Sequence, residues 1–213
     1  MTVSNDAPHK ARPLLANLAT GLFVYFVVIL IVLHELRPDY TPIDHMISDY
    51  AVGRFGGLMT SAFMALSLGC LCLSLGLWRD GPRTATSLGG RIFLLVVFAG
   101  ALVTAAFATD LEGAPDTQHG NIHTISFLVN VAGILLAALT LSFSFGADAR
   151  WKSFRPAALV LAFLLIIAFV GQFLTLHRGM PYGITNRIFV TVMMVWLIAV
   201  AWRLRTVSRA GTA

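Results

Sequence analysis

Apolar residues in this chain come in long runs, not in the alternation of a half-buried strand or the narrow stripe of a surface helix. The runs cover 13–33, 58–78, 92–109, 124–146, 156–176 and 184–202. A helix rises about 1.5 Å per residue, so each run reaches across most or all of a hydrocarbon core of about 30 Å. The pattern predicts an all-α integral membrane bundle of six transmembrane helices over 13–204, with polar tails at 1–12 and 205–213. The first run follows Lys10 and Arg12, as the core of a signal peptide would. It is too long for one and no small-x-small cleavage site follows it, so a retained helix is expected.

One segment between the runs carries helix signals of its own. In "RPDYTPIDHMISDYAVG", Thr41 suits a cap, Pro42 the first helical position, Asp44 completes a Thr-x-x-Asp box, and Gly53 suits a stop. A short amphipathic helix at 42–51 is predicted, with Ile43, Ile47 and Tyr50 on one face. His45 and Asp49 then stand one turn apart on another face, a lid over the mouth of the bundle.

Composition agrees with the runs: 57 % of the 213 residues are hydrophobic and 12 % charged, against about a quarter charged in soluble domains. Charge adds an orientation. The termini and even-numbered loops carry eleven Lys and Arg residues, while the odd-numbered loops carry four, Arg37, Arg54, Arg178 and Arg187. The positive-inside bias predicts that both termini lie in the cytoplasm. The net charge of +5 reports this topology and contact with anionic lipid, so nucleic acid is not an expected partner. Cys70 and Cys72 point in different directions along one helix and read as packing residues. No lysine lies within a span, which removes a retinal-type Schiff base.

Acids and histidines gather in the outer loops. Seven of ten carboxylates and five of six histidines fall there. In "DTQHGNIHTISF", His119 and His123 stand one turn apart where a loop becomes the fourth helix, and Ser126 and Asn130 extend that face inward. A polar stripe this deep should face other helices or a water-filled cavity. Two imidazoles at i and i+4 suit one zinc ion, with a third ligand from His34, His45 or His177. Asp110 and Asp49 are the expected general base or orienting carboxylate. The third outer loop, "GQFLTLHRGMPYGITNR", brings Gln172, His177, Arg178 and Arg187. The arginines here, with Arg37, suit a lipid headgroup, and His177, Gln172 and Asn130 complete the expected substrate contacts.

The order "LRPDYTPIDHMISDYAVG", then Phe107 to Asp110, then "HGNIHTISF", resembles a bacterial six-span family known as domain of unknown function 998. The resemblance implies a fold and a set of recurrent positions, Arg37, Pro38, Tyr40, Ser48, Asp110, His119, His123 and Ser126, without an activity. A looser analogy is to intramembrane hydrolases of the alkaline-ceramidase type, which combine an early Ser/Asp segment with His-x-x-x-His near the membrane surface; it implies a catalytic part for Ser48. Those proteins have seven spans and carry the paired histidines in the last. Three functions follow as expectations. The first is a zinc-dependent hydrolase or transferase acting on an outer-leaflet lipid. The second is a haem- or quinone-binding redox subunit, with His123 and His34 as axial ligands. The third is a non-catalytic accessory or lipid-binding subunit. Membrane lipids are the expected partners, with a homo-oligomer or larger membrane complex beside them.

Overall fold

The computed structural model describes residues 13–177 and 179–210. Among these, every regular element is helical: α1 (Leu14–Leu36), α2 (Gly56–Asp80), α3 (Ala85–Ala106), α4 (Gln118–Ser144), the one-turn α5 (Ala149–Lys152), α6 (Arg155–Thr175) and α7 (Tyr182–Ala210), with 3-10 turns at Ile47–Ala51 and Phe145–Ala147. Six of them are long and apolar enough to cross a membrane. This is a multi-pass membrane protein, and its long helices put both ends of 14–210 on the same side.

Helix ends depart from the ends of the apolar runs because caps set them, while hydropathy marks only where lipid ends. The third helix begins at Ala85, seven residues before its apolar run, since the Thr84 hydroxyl accepts the Ser87 amide at 3.0 Å. The fourth begins at Gln118 because Thr117 accepts the Gly120 amide in the same way. The last helix continues through Arg203, Arg205 and Arg209 to Ala210, taking in most of the segment set off as a polar tail. The 1–12 tail lies outside the described residues.

The six long helices form a closed ring in which α1 packs on α2, α2 on α3, α3 on α4, α4 on α6, α6 on α7 and α7 back on α1. Small residues bring neighbours close, as expected where lipid supplies no hydrophobic driving force between helices. Gly69 of α2 is the clearest case: a Cβ there would stand 2.5 Å from the Phe23 ring of α1. Outward faces are apolar, with Ile125, Ile167 and Phe173 each more than 60 % exposed, as a lipid-facing surface requires.

The two ends differ. At the terminal end, Phe145 and Trp151 stack with ring centroids 4.5 Å apart, both fully buried, and the Trp151 indole donates to the Asp80 carbonyl. This end is closed. The loop end, formed among the described residues by 37–55, 107–117, 176–177 and 179–181, holds a cavity that runs down inside the ring.

The short helix of the first loop is present but half as long as its signals suggest. The Thr41–Asp44 box forms, with Thr41 donating to Asp44 at 2.8 Å and the Asp44 amide donating back at 3.2 Å. Met46 then turns extended (ψ 162°), and helical winding resumes only as the 3-10 turn Ile47–Ala51. The carbonyls that would propagate the first turn are used elsewhere: Ile43 accepts the Gly183 amide, and Pro42 and His45 accept from Arg187. Gly183 makes this possible, because a Cβ there would lie 2.5 to 2.7 Å from the carbonyl oxygens of Pro42, His45 and Ile43.

Candidate functional site

The cavity has a volume of about 490 Å3 and draws its lining from α1, α2, α3, α4, α7 and the three loops at this end. Its floor is apolar, with Phe26, Phe63, Val97, Val131, Ile134 and Met193. Its rim is polar and titratable, with Ser48, Asp49, Asp110, Glu112, His123, His177, Tyr182 and Asn186. The lining residues that are also exposed include Thr124 and Leu128 on α4 and Leu176 and His177 just after α6. The opening therefore lies between the start of α4 and the end of α6, on the lipid-facing side as well as the loop side.

His123 is 5 % exposed and sits on the first turns of α4. Its Nδ1 hydrogen-bonds to the Phe107 carbonyl at 2.8 Å. A carbonyl only accepts, so Nδ1 carries the proton and Nε2 is the ring nitrogen left with a lone pair. Phe63 closes one flank of the ring, edge-on at 6.2 Å. Below it the stripe predicted on α4 faces α3: Ser126 and Thr104 hydroxyls are 2.8 Å apart, and the Asn130 amide donates to Thr104 at 3.0 Å. The Asn130 Oδ1 has no hydrogen-bond partner.

Asp49 faces the same cavity from the 3-10 turn and is 7 % exposed. Its Oδ2 accepts the Met46 amide at 2.9 Å. Burial pushes its carboxyl up to about 6, against the opposing pull of the Met46 amide, His45 and Arg187. The turn that presents it is pinned to α7, where Asn186 Oδ1 accepts the Ile47 amide at 3.1 Å. Tyr182 donates to Glu112, a strap from the first residue of α7 to the α3–α4 loop. Asp110 accepts the amide and hydroxyl of Thr117, both at 2.8 Å, which lowers its pKa and ties it to the start of α4. A side chain at Gly120 would run into the Asp110 carboxylate.

Other candidates are spent on the fold. Both ring nitrogens of His34 are occupied, Nδ1 by the Leu30 carbonyl at 2.6 Å and Nε2 by Arg187 Nε–H at 2.7 Å. Arg187 also donates to the carbonyls of Pro42, His45 and Gly183 and to the Tyr50 hydroxyl. It is the clamp that holds the first loop against α1 and α7. Arg37 is 5 % exposed, forks onto Asp39, donates to the carbonyls of Val52 and Arg54, and lies 4.0 Å over the Tyr40 ring. The Arg37 guanidinium holds the Asp39 carboxyl below its usual range. His45 stacks on Tyr40 at 4.6 Å, and its buried Nδ1 has no partner. His119 is exposed and meets the Phe107 ring edge-on, on the far side of the residue whose carbonyl holds His123.

The structure thus brings Ser48, Asp49, Asp110, His123, His177 and Asn130 to one cavity, and places Gln172 outside its lining, fully buried with both amide atoms unpartnered. Arg178 lies outside the described residues. Among the described residues no three His, Cys, Asp or Glu side chains form a group able to hold a metal ion. Six polar residues of the lining were not among the expected site residues: Thr104, Thr109, Glu112, Thr124, Tyr182 and Asn186. Thr104 interrupts an apolar stretch, and that interruption is the signal that points to it, whereas Asn186 stands between Thr185 and Arg187 and nothing in the sequence sets it apart.

A family model described as "Protein of unknown function (DUF998)" matches residues 18–203. The chain belongs to this family. Residues 18–203 take in every long helix in part or whole and all three loops of the cavity end, so the DUF998 match covers the whole cavity lining. No curated protein and no solved structure matches the chain.

Proposed function

We propose that this DUF998 protein draws an amphiphile from the bilayer into its central cavity and acts on the polar end as a hydrolase or transferase. The observation that carries the reading is the meeting of His123 and Asp49 in one cavity with an apolar floor. His123, its tautomer fixed by Phe107, has the Nε2 lone pair of a general base. Asp49, pushed up to about 6, keeps a fraction of its carboxyl protonated near neutrality and suits a general acid. Thr124 and Leu128 at the opening favour entry from the hydrocarbon side, and the apolar floor takes the chain. The charge bias of the loops supports an outward-facing cavity with both termini in the cytoplasm of an inner membrane.

Zinc belongs to this reading as a second route to the same chemistry. His123 Nε2 and His119, one turn earlier, would hold it and the ion would supply an activated water, although among the described residues no third His, Cys, Asp or Glu side chain completes the set. The experiment is a single detergent-purified sample divided three ways. One part is incubated with total membrane lipid extract and its products followed by mass spectrometry; the others go to elemental analysis and an absorption spectrum. Turnover that His123→Gln and Asp49→Asn abolish is expected. Unchanged turnover in His123→Gln sinks the acid–base assignment, and a Soret band puts the haem alternative in its place.

A further inference from the structure

The terminal end of the bundle, away from the cavity, holds a charge of its own. Arg91 lies in the second turn of α3 and is 6 % exposed. Its Nε–H donates to the Ser87 carbonyl at 3.0 Å, so the side chain leans back toward the start of the helix, as long helical side chains do. The guanidinium carbon stands 5.0 Å from the centre of the Trp78 ring of α2. Among the described residues nothing accepts from the four N–H donors on its two terminal nitrogens. Ser87 also has a fully buried hydroxyl with no partner. The two acids described at this end are engaged with other groups: Asp148 is forked by Arg150, and Asp80 accepts the Ser208 hydroxyl at 2.8 Å. Stacking over Trp78 offsets part of the desolvation, yet a buried guanidinium with open donors stays costly until an acceptor arrives.

A phosphate supplies what is missing, a negative charge and oxygens spaced for the planar fork. The surroundings decide which phosphate. Arg91 stands only about 9 Å along α3 from its first residue, and its lean carries the guanidinium nearer still to that end, at headgroup depth. Trp78, two residues from the end of α2, is 50 % exposed, as an interfacial aromatic is. Leu75 one turn before it on α2, and Leu88 and Ile92 on the outward face of α3, are exposed and apolar. A phosphate arriving on this flank comes with acyl chains. We infer that the α2–α3 seam at the terminal end binds one anionic phospholipid, its phosphate on the open side of the Arg91 fork and its chains along Trp78 and Leu75. This site is separate from the cavity and independent of any chemistry there.

The test uses the full chain in an uncharged detergent, with dioleoyl phosphatidylglycerol, dioleoyl phosphatidylcholine and inorganic phosphate as probes. Native mass spectrometry counts the lipids retained per chain. Thermal unfolding midpoints against probe concentration give apparent affinities, because a ligand that binds only the folded state raises the midpoint. One phosphatidylglycerol is expected to stay on each chain and to bind at least tenfold more tightly than phosphatidylcholine, with inorganic phosphate weaker than either. Arg91→Gln is expected to remove the preference, and Lys152→Gln, which deletes an exposed charge at the same end, to keep it. Equal affinity for the two lipids overturns the anionic-lipid assignment. A midpoint shift with inorganic phosphate as large as that with phosphatidylglycerol overturns the lipid in favour of a free anion. Both of these are read on the parent chain and do not depend on how the variants fold. A preference that survives Arg91→Gln, or that Lys152→Gln also removes, overturns the placement at this seam.

Discussion

His34 and His123 lie at the same end of the bundle, one in the last turn of α1 and the other in the second turn of α4, and the protein uses them in opposite ways. Along the α1–α7 seam every strong donor is matched: Arg187 serves His34, Tyr50 and three carbonyls, and His34 passes its remaining proton to Leu30. Along the α3–α4 seam the matching stops halfway. His123 is fixed at one nitrogen only, and Asn130 keeps an unpaired oxygen. The first seam is a fastening and the second is a site. Two imidazoles of equal promise in the sequence are separated by what stands 153 residues away from one of them.

The fastening breaks most severely at Arg187. Arg187→Ala strands the Pro42 and His45 carbonyls and His34 Nε2 without donors, and a loss of roughly 3–5 kcal/mol is expected from the number of charge-assisted bonds removed. Chemical unfolding in detergent measures it, and Arg187→Lys recovers only part because an ammonium cannot reproduce the fork. If Arg187→Ala unfolds like the parent, the seam is no fastening.

Gly183→Ala comes next. Its Cβ enters the carbonyl cluster of Pro42, Ile43 and His45, and overpacking against backbone costs about 1–3 kcal/mol. The same change is expected to shift Asp49, since the loop that presents it rests on this contact.

The site side responds with the opposite sign. Because the Asp49 carboxyl is raised in the folded state to about 6 from an ordinary value of 3.8, the folded protein binds the extra proton between those values. Stability is therefore fully present below about pH 4 and falls as pH rises through about 6. Asp49→Asn, which keeps an acceptor for the Met46 amide, is expected to stabilise the protein at pH 7 by an amount on the order of 2 kcal/mol and to flatten this dependence. Unfolding midpoints at pH 4.5, 6 and 7.5 check it; a parent that gains stability across that range removes Asp49 from the account.

The smallest change is expected at His119. It is exposed and touches only the face of the fold around Phe107, so His119→Ala should alter stability by less than about 0.5 kcal/mol. Bound zinc and turnover sharpen the comparison: loss of both in His119→Ala assigns it to a metal, and retention of turnover leaves His123 to act alone.

Much of the bundle was legible from hydropathy because lipid imposes a pattern that every span must obey, whatever its partners. The polar stripe of His123, Ser126 and Asn130 was legible for the same reason: polar residues at helical spacing inside a span have to face inward. The first loop was harder. Its cap signals at Thr41 and Asp44 were genuine, yet the helix they start stops after one turn, because Arg187 and Gly183 compete for its carbonyls. Nothing local to 41–51 announces a competitor more than 130 residues downstream. The arginines mislead in the same manner, since Arg37 and Arg187 carry the donors of a headgroup binder and turn them inward on the fold.

By itself, then, the order of residues determined six spans, the gathering of acids and histidines at one end, and the face of α4 that turns inward. These follow from the free energy of placing each side chain in lipid or water, which is nearly a local property. Tertiary structure alone decided which of those polar groups satisfy one another and which are left looking into a cavity. Hydrogen bonds are made in pairs, and the partner's position is set by the closing of the whole ring.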